Sequence, residues 1–129
     1  MKPKLMALLI PACLALWAGS AAAAQRFAPA DGAQHFLLNA EGGVIQAEAG
    51  NPEDPMAPDE IRANLTQVAK TGVPELQRLR ADINYVFTPT AGGGELRIES
   101  RNAEALNAIH EYLRTEIREL QTGDSENVK

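Results

Sequence analysis

The stretch GGVIQAE at residues 42–48 returns as GGELRIE at residues 93–99, an offset of 51 in a chain of 129 residues. At that offset Phe36 meets Phe87, Gly42-Gly43 meets Gly93-Gly94, Ile45 meets Leu96, Glu48 meets Glu99 and Asn51 meets Asn102. With three residues inserted in the first copy, Ile61 and Leu65 also meet Ile109 and Leu113. In each copy the apolar residues change from a period of two to a period near 3.6, as strands giving way to a helix require.

In the first copy Phe36 and Leu38 alternate, Glu41-Gly42 offers a two-residue turn, and Ile45, Ala47 and Ala49 continue the alternation, which predicts a hairpin. That turn places Leu38 opposite Ile45, Phe36 opposite Ala47 and His35 opposite Glu48. Pro52, Pro55 and Pro58 interrupt the pattern, and Ile61, Leu65 and Val68 then form one helical stripe that Gly72 and Pro74 stop. Glu75 to Arg80 adds a short helical turn through Leu76 and Leu79. The second copy repeats the plan. Ile83, Tyr85 and Phe87 alternate, Ala91 to Gly94 turns the chain, and Leu96 and Ile98 return on the same face while Glu95, Arg97 and Glu99 point away. Asn102 is an N-cap, Leu106, Ile109, Leu113, Ile117 and Leu120 form a long stripe, and Gly123 closes the helix.

One hairpin and one helix cannot bury an apolar face alone. Two such units can merge their hairpins and share a core. The expected fold is therefore α+β: a duplicated ββα-ββα chain with a four-stranded antiparallel sheet and the two main helices on one face.

Lys2 and Lys4, an apolar run from Leu5 to Trp17, and the small residues Gly19 to Ala24 read as an export signal over residues 1–24, cleaved after Ala24. The run is shorter than the roughly 20 residues a membrane-spanning helix needs. The expected product is periplasmic or secreted, with an arm over residues 25–34, a single domain over 35–121 and a disordered polar tail over 122–129. Cleavage removes Cys13, so neither disulfide nor thiol chemistry is expected. It also removes two of the 12 basic side chains and none of the 17 acidic ones, leaving a formal charge of −7. An acidic surface lacks the main attraction for phosphate backbones, which argues against nucleic acid as a partner.

Residues for chemistry are few. Ser100 and Ser125 have no histidine beside them in sequence to act as a base, and neither a Gly-x-Ser-x-Gly elbow nor a Gly-x-x-x-x-Gly-Lys loop is present. The lack of catalytic motifs argues against an enzyme. His35 and His110 are the two histidines; with Glu48 beside His35, the three are the candidate ligands for a divalent transition metal.

The segments HFLLNAEGGVIQ, ADINYVFTPTAGGGELRI and NAEALNAIHEYLR resemble a group of small exported bacterial proteins of unknown function. Some of these carry the label aspartate carbamoyltransferase. That enzyme is characterised by a Ser-Thr-Arg-Thr-Arg phosphate motif, which this chain lacks, so the activity is not expected. The group also has a middle Gly-Asp-Phe stretch and an Ile-His-Gly, and LTQVAKTGVPELQRL passes through without them. The resemblance implies an exported binding or accessory protein, with metal handling through His35 and His110 as the alternative. On the sheet face away from the helices, Leu37, Val44 and Val86 form an apolar patch suited to a second copy or a periplasmic protein partner.

Overall fold

The computed structural model describes residues 26–29, 31–51, 53–54 and 56–129. The export signal read over residues 1–24 lies outside the described residues. The two alternating stretches form strands β1 (Ala33–Asn39) and β2 (Gly42–Glu48), then β3 (Asn84–Thr90) and β4 (Gly93–Glu99). They make one antiparallel sheet in the order β1-β2-β4-β3, crossed by helices α1 (Met56–Thr71) and α2 (Ala103–Glu119). The α+β class and the ββα-ββα order follow the repeat.

The repeat is also spatial. The bounds of β3 and β4 are those of β1 and β2 moved by 51 residues. At the seam Ile45 stands opposite Leu96, the same position of the two copies, so a local two-fold axis passes between them. The bonds Ala49 N–H to the Gly92 carbonyl, 2.9 Å, and Ser100 N–H to the Glu41 carbonyl, 3.0 Å, are mates under that axis.

Each helix crosses to the other copy's strands: α1 packs mainly on β4 and β3, and α2 mainly on β1 and β2. The paired glycines make room for this. A Cβ at Gly43 would collide with Leu113 Cδ1 of α2, and one at Gly94 would lie 3.1 Å from Leu65 Cδ1 of α1. Leu65 and Leu113 are equivalent positions, so the copies interlock reciprocally. Leu38, Ile45, Leu65, Leu96, Ile98, Ile109 and Leu113 are fully buried between sheet and helices. The apolar area they remove from water is the main stabilising contribution.

The first hairpin turns at Ala40-Glu41, not at Glu41-Gly42. Phe36 therefore faces Ile45, Leu38 faces Gly43, His35 faces Gln46 and Glu48 faces Ala33. The Asn39 side chain accepts the Glu41 N–H at 3.1 Å and closes the turn at this position. Gly42 is needed within β2, where its φ is 146° and a Cβ would strike the Ile98 carbonyl. The shift is two residues, so the inner face is unchanged.

Helix α1 begins where Asp54 Oδ1 accepts the Met56 N–H at 3.0 Å, and Pro58 sits in the first turn, where no intrahelical donor is required. It ends at Gly72, φ 83°, while the side chains of Gln77 and Arg80 donate to the exposed Thr71 carbonyl. Those two residues come from a 3-10 helix over Pro74–Asp82, whose Leu76 and Leu79 are buried. Helix α2 starts at Asn102, which accepts the Ala105 N–H at 2.9 Å. It closes through bonds from Gln121 N to the Arg118 carbonyl and Thr122 N to the Ile117 carbonyl, with Gln121 at φ 52° in the left-handed position. Gln121, rather than Gly123, is the closing residue.

The first described residues and the C-terminal segment are both tied to the domain. Phe27 and Ala28 of the arm are buried, and their N–H groups donate to Gln34 Oε1 at 2.7 and 3.2 Å. Residues 122–129, whose polar composition suggested disorder, lie along β1. Val128 forms a parallel bridge with Leu38, and Lys129 N donates to the Leu38 carbonyl at 2.9 Å.

The sheet's other edge is blunted instead. Pro89 of β3 is the repeat mate of Leu38, so it occupies the position whose backbone faces outward on β1. A proline there breaks no bond inside the sheet and denies a donor to an approaching strand. Replacing Pro89 by Val is expected to raise concentration-dependent association, read by light scattering. A Pro89→Val protein as monodisperse as the parent would show that this edge needs no such protection.

Candidate functional site

With one sheet face under the helices, the side chains left on the other face come from odd positions of β1 and β4 and even positions of β2 and β3. Leu37, Val44, Arg97 and Val86 stand in one straight row across all four strands. Leu37 is 43% exposed, and Val44 and Val86 are half-buried. His35, Gln46, Glu95 and Thr88 form the adjacent row. Gln46 Nε2 donates to Glu95 Oε1 at 2.8 Å, and Arg97 Nε lies 3.7 Å from Glu99 Oε2. The face is thus an apolar row with one cation, bordered by carboxylates.

The three candidate metal ligands have separate partners. His35 Nδ1 is 3.1 Å from Asp124 Oδ1 in the C-terminal segment, not beside Glu48. Glu48 instead accepts the Thr90 hydroxyl at 2.8 Å, because the turn, one position earlier, moves it opposite Ala33. His110 is buried in α2 with Nε2 2.8 Å from the Asn39 carbonyl oxygen. A carbonyl only accepts, so Nε2 carries the proton and donates, which removes it as a ligand atom in this arrangement. Among the described residues, no three His, Cys, Asp or Glu side chains form a group able to hold a metal ion.

A cleft of about 580 Å³ opens at the end of the sheet, lined by Glu41, Asp82, Asn84, Glu99, Ser100 and Arg101. Ser100 is engaged structurally: its hydroxyl donates to the Asp82 carbonyl at 2.6 Å and accepts the Asn102 N–H at 3.0 Å. On the far side of α2, Tyr112 OH donates to Glu116 Oε1 at 3.2 Å, and Glu116 is only 2% exposed. Burial, then the nearby Glu116 carboxylate, pushes the Tyr112 phenol well above its ordinary pKa, so it stays a neutral donor.

Sequence reasoning missed the cluster along the outer edge of β1. Asp124 Oδ2 accepts the Phe36 N–H at 3.0 Å while its other oxygen faces His35. Arg114 Nε donates to the Glu126 carbonyl and Arg118 Nε to the Glu126 carboxylate, both at 2.9 Å. The one available signal was the alternation of Asp124, Glu126 and Val128, a strand-like period hidden in a polar tail.

Neither known protein families, curated proteins nor solved structures contain a match to this chain. Among the described residues, no helix is long and apolar enough to cross a membrane.

Proposed function

We propose that this chain is an exported periplasmic or secreted protein that works by binding, with the open sheet face as its working surface and a second copy as its partner. The observation that carries the reading is the row Leu37, Val44, Arg97 and Val86 across the sheet, three apolar side chains with one cation among them. An apolar row of this kind gains by being covered, since its area leaves water on association. The charges around it are self-complementary. Two copies placed face to face about a two-fold axis can set Arg97 of one against Glu95 or Glu99 of the other, which suits an isologous interface. Support also comes from the positively charged, then apolar, then small-residue N-terminus, and from the resemblance to small exported proteins.

Light scattering on the chain without residues 1–24 tests the reading. A dimer mass that falls to the monomer mass with dilution is expected, and Leu37→Glu should abolish it by burying an unpaired charge at the contact. A monomer at every concentration, in parent and variant alike, would remove the second copy as the partner.

A further inference from the structure

The outer edge of β1 is occupied in a particular way. The segment 124–128 reads Asp-Ser-Glu-Asn-Val, and its alternate residues are those that touch the domain. Asp124 meets His35 and the Phe36 amide, Glu126 meets Arg114 and Arg118, and Val128 bridges Leu38. On a chain whose net charge is negative, His35 of the strand and the two arginines of α2 gather along this one edge. The hold on the backbone is thin: an isolated bridge at Leu38 rather than a ladder along the seven residues of β1. The segment leaves α2 through Gln121, φ 52°, a left-handed conformation that a residue with a side chain rarely adopts.

We infer that the β1 edge, flanked by His35, Arg114 and Arg118, is a strand-addition site for an acidic extended segment of a partner protein, and that residues 124–128 hold its place. The segment recognised carries carboxylate, any residue, carboxylate, any residue, aliphatic, in the extended form. The backbone edge, with Arg114 on a main-chain carbonyl, supplies main-chain bonds, while His35 and Arg118 read the two carboxylates, the division of labour usual when a peptide joins a sheet. A partner strand that ran the length of β1 would make a full ladder where the chain's own segment makes one bridge, which is how it would displace that segment. The site is built on the strand edge and shares only His35 with the outer face proposed to join two copies, and the inference does not rest on that reading.

A chain ending at Gly123 keeps the Gln121 and Thr122 amides that close α2 and exposes the edge. Titrating it with a synthetic peptide of residues 123–129 should move the backbone amide signals of Phe36 and Leu38 and the side-chain signals of Arg114 and Arg118, with binding that weakens as salt is raised. A peptide with Asp124→Asn and Glu126→Gln should bind at least tenfold more weakly. Should the shortened chain fail to fold, the full chain carrying Asp124→Asn and Glu126→Gln loosens the segment without removing it and is titrated with the unaltered peptide. Unmoved β1 signals in a folded variant, or equal binding of the neutralised peptide, would overturn the site. A dimer of the full chain that vanishes on ending it at Gly123 would give the edge to a second copy and overturn the separate partner.

Discussion

Truncating Leu113 to Ala is expected to lower the unfolding free energy by about 3–4 kcal/mol, within the range for fully buried leucines whose cavity cannot collapse. Leu113 is fully buried in α2 and sits over Gly43, where the sheet offers no side chain that could swing into the vacancy. A small domain is stable by roughly 5–15 kcal/mol, so the loss is a large share of the total and corresponds to roughly 15–25 °C in Tm. Leu65→Ala, its mate across the local two-fold axis, should cost a similar amount, because Leu65 meets Gly94 as Leu113 meets Gly43. Leu106, half-buried on the same helix, is the control and should cost much less on truncation. Urea unfolding of the chain without residues 1–24 measures all three. A Leu113→Ala protein less affected than Leu106→Ala would mean that α2 does not seat on the first hairpin.

That seating could not be read from the sequence. The offset of 51 establishes that the two halves share a plan, and period-two alternation assigns Phe36, Leu38, Ile45, Leu96 and Ile98 to one face whatever the turn. This is why the core was legible even though the register was not: a turn at Ala40-Glu41 or at Glu41-Gly42 sends the same side chains inward. The partners did depend on the turn, and with them the neighbour of His35. The deciding contact, Asn39 Oδ1 with the Glu41 amide, is a single side-chain bond that no pattern announces. Whether each helix covers its own hairpin or the other copy's is equally invisible to periodicity, because both arrangements bury the same stripe. The α2 stripe was read too narrowly for a related reason. The helix also packs against the 3-10 helix, so Tyr112 and Glu116 are buried outside the stripe of Leu106, Ile109, Leu113, Ile117 and Leu120. For the C-terminal segment, composition pointed to disorder. What orders it are contacts with His35, 89 residues away, and with two arginines of α2, and the alternation of Asp124, Glu126 and Val128 hints at an extended segment without naming those partners.

Gly43→Val is expected to destabilise the protein by about 3 kcal/mol, at the upper end of the usual range for overpacking. The first atom of the new side chain would meet Leu113 Cδ1 and come within 2.5 Å of the Leu37 carbonyl oxygen. The leucine can turn aside, but the carbonyl belongs to β1 and moves only with that strand. The gain from a less flexible unfolded chain, about 0.4–1 kcal/mol on replacing glycine, offsets little of this. The mate substitution Gly94→Val should cost about 1 kcal/mol less. Its nearest neighbours are the Phe87 ring at 2.7 Å and Leu65 Cδ1 at 3.1 Å, both side chains, with the Thr88 carbonyl further off at 3.3 Å. A double-mutant cycle separates the two parts of the Gly43 effect. In Gly43→Val with Leu113→Ala, the new methyl groups occupy space the leucine vacated, so the pair should be less destabilised than the sum of the singles by at least about 1 kcal/mol. The part due to the Leu37 carbonyl should remain, leaving the pair below the parent in stability. Strict additivity in urea unfolding would show that Leu113 and Gly43 do not touch, and the reciprocal seating of the two helices would fail with it.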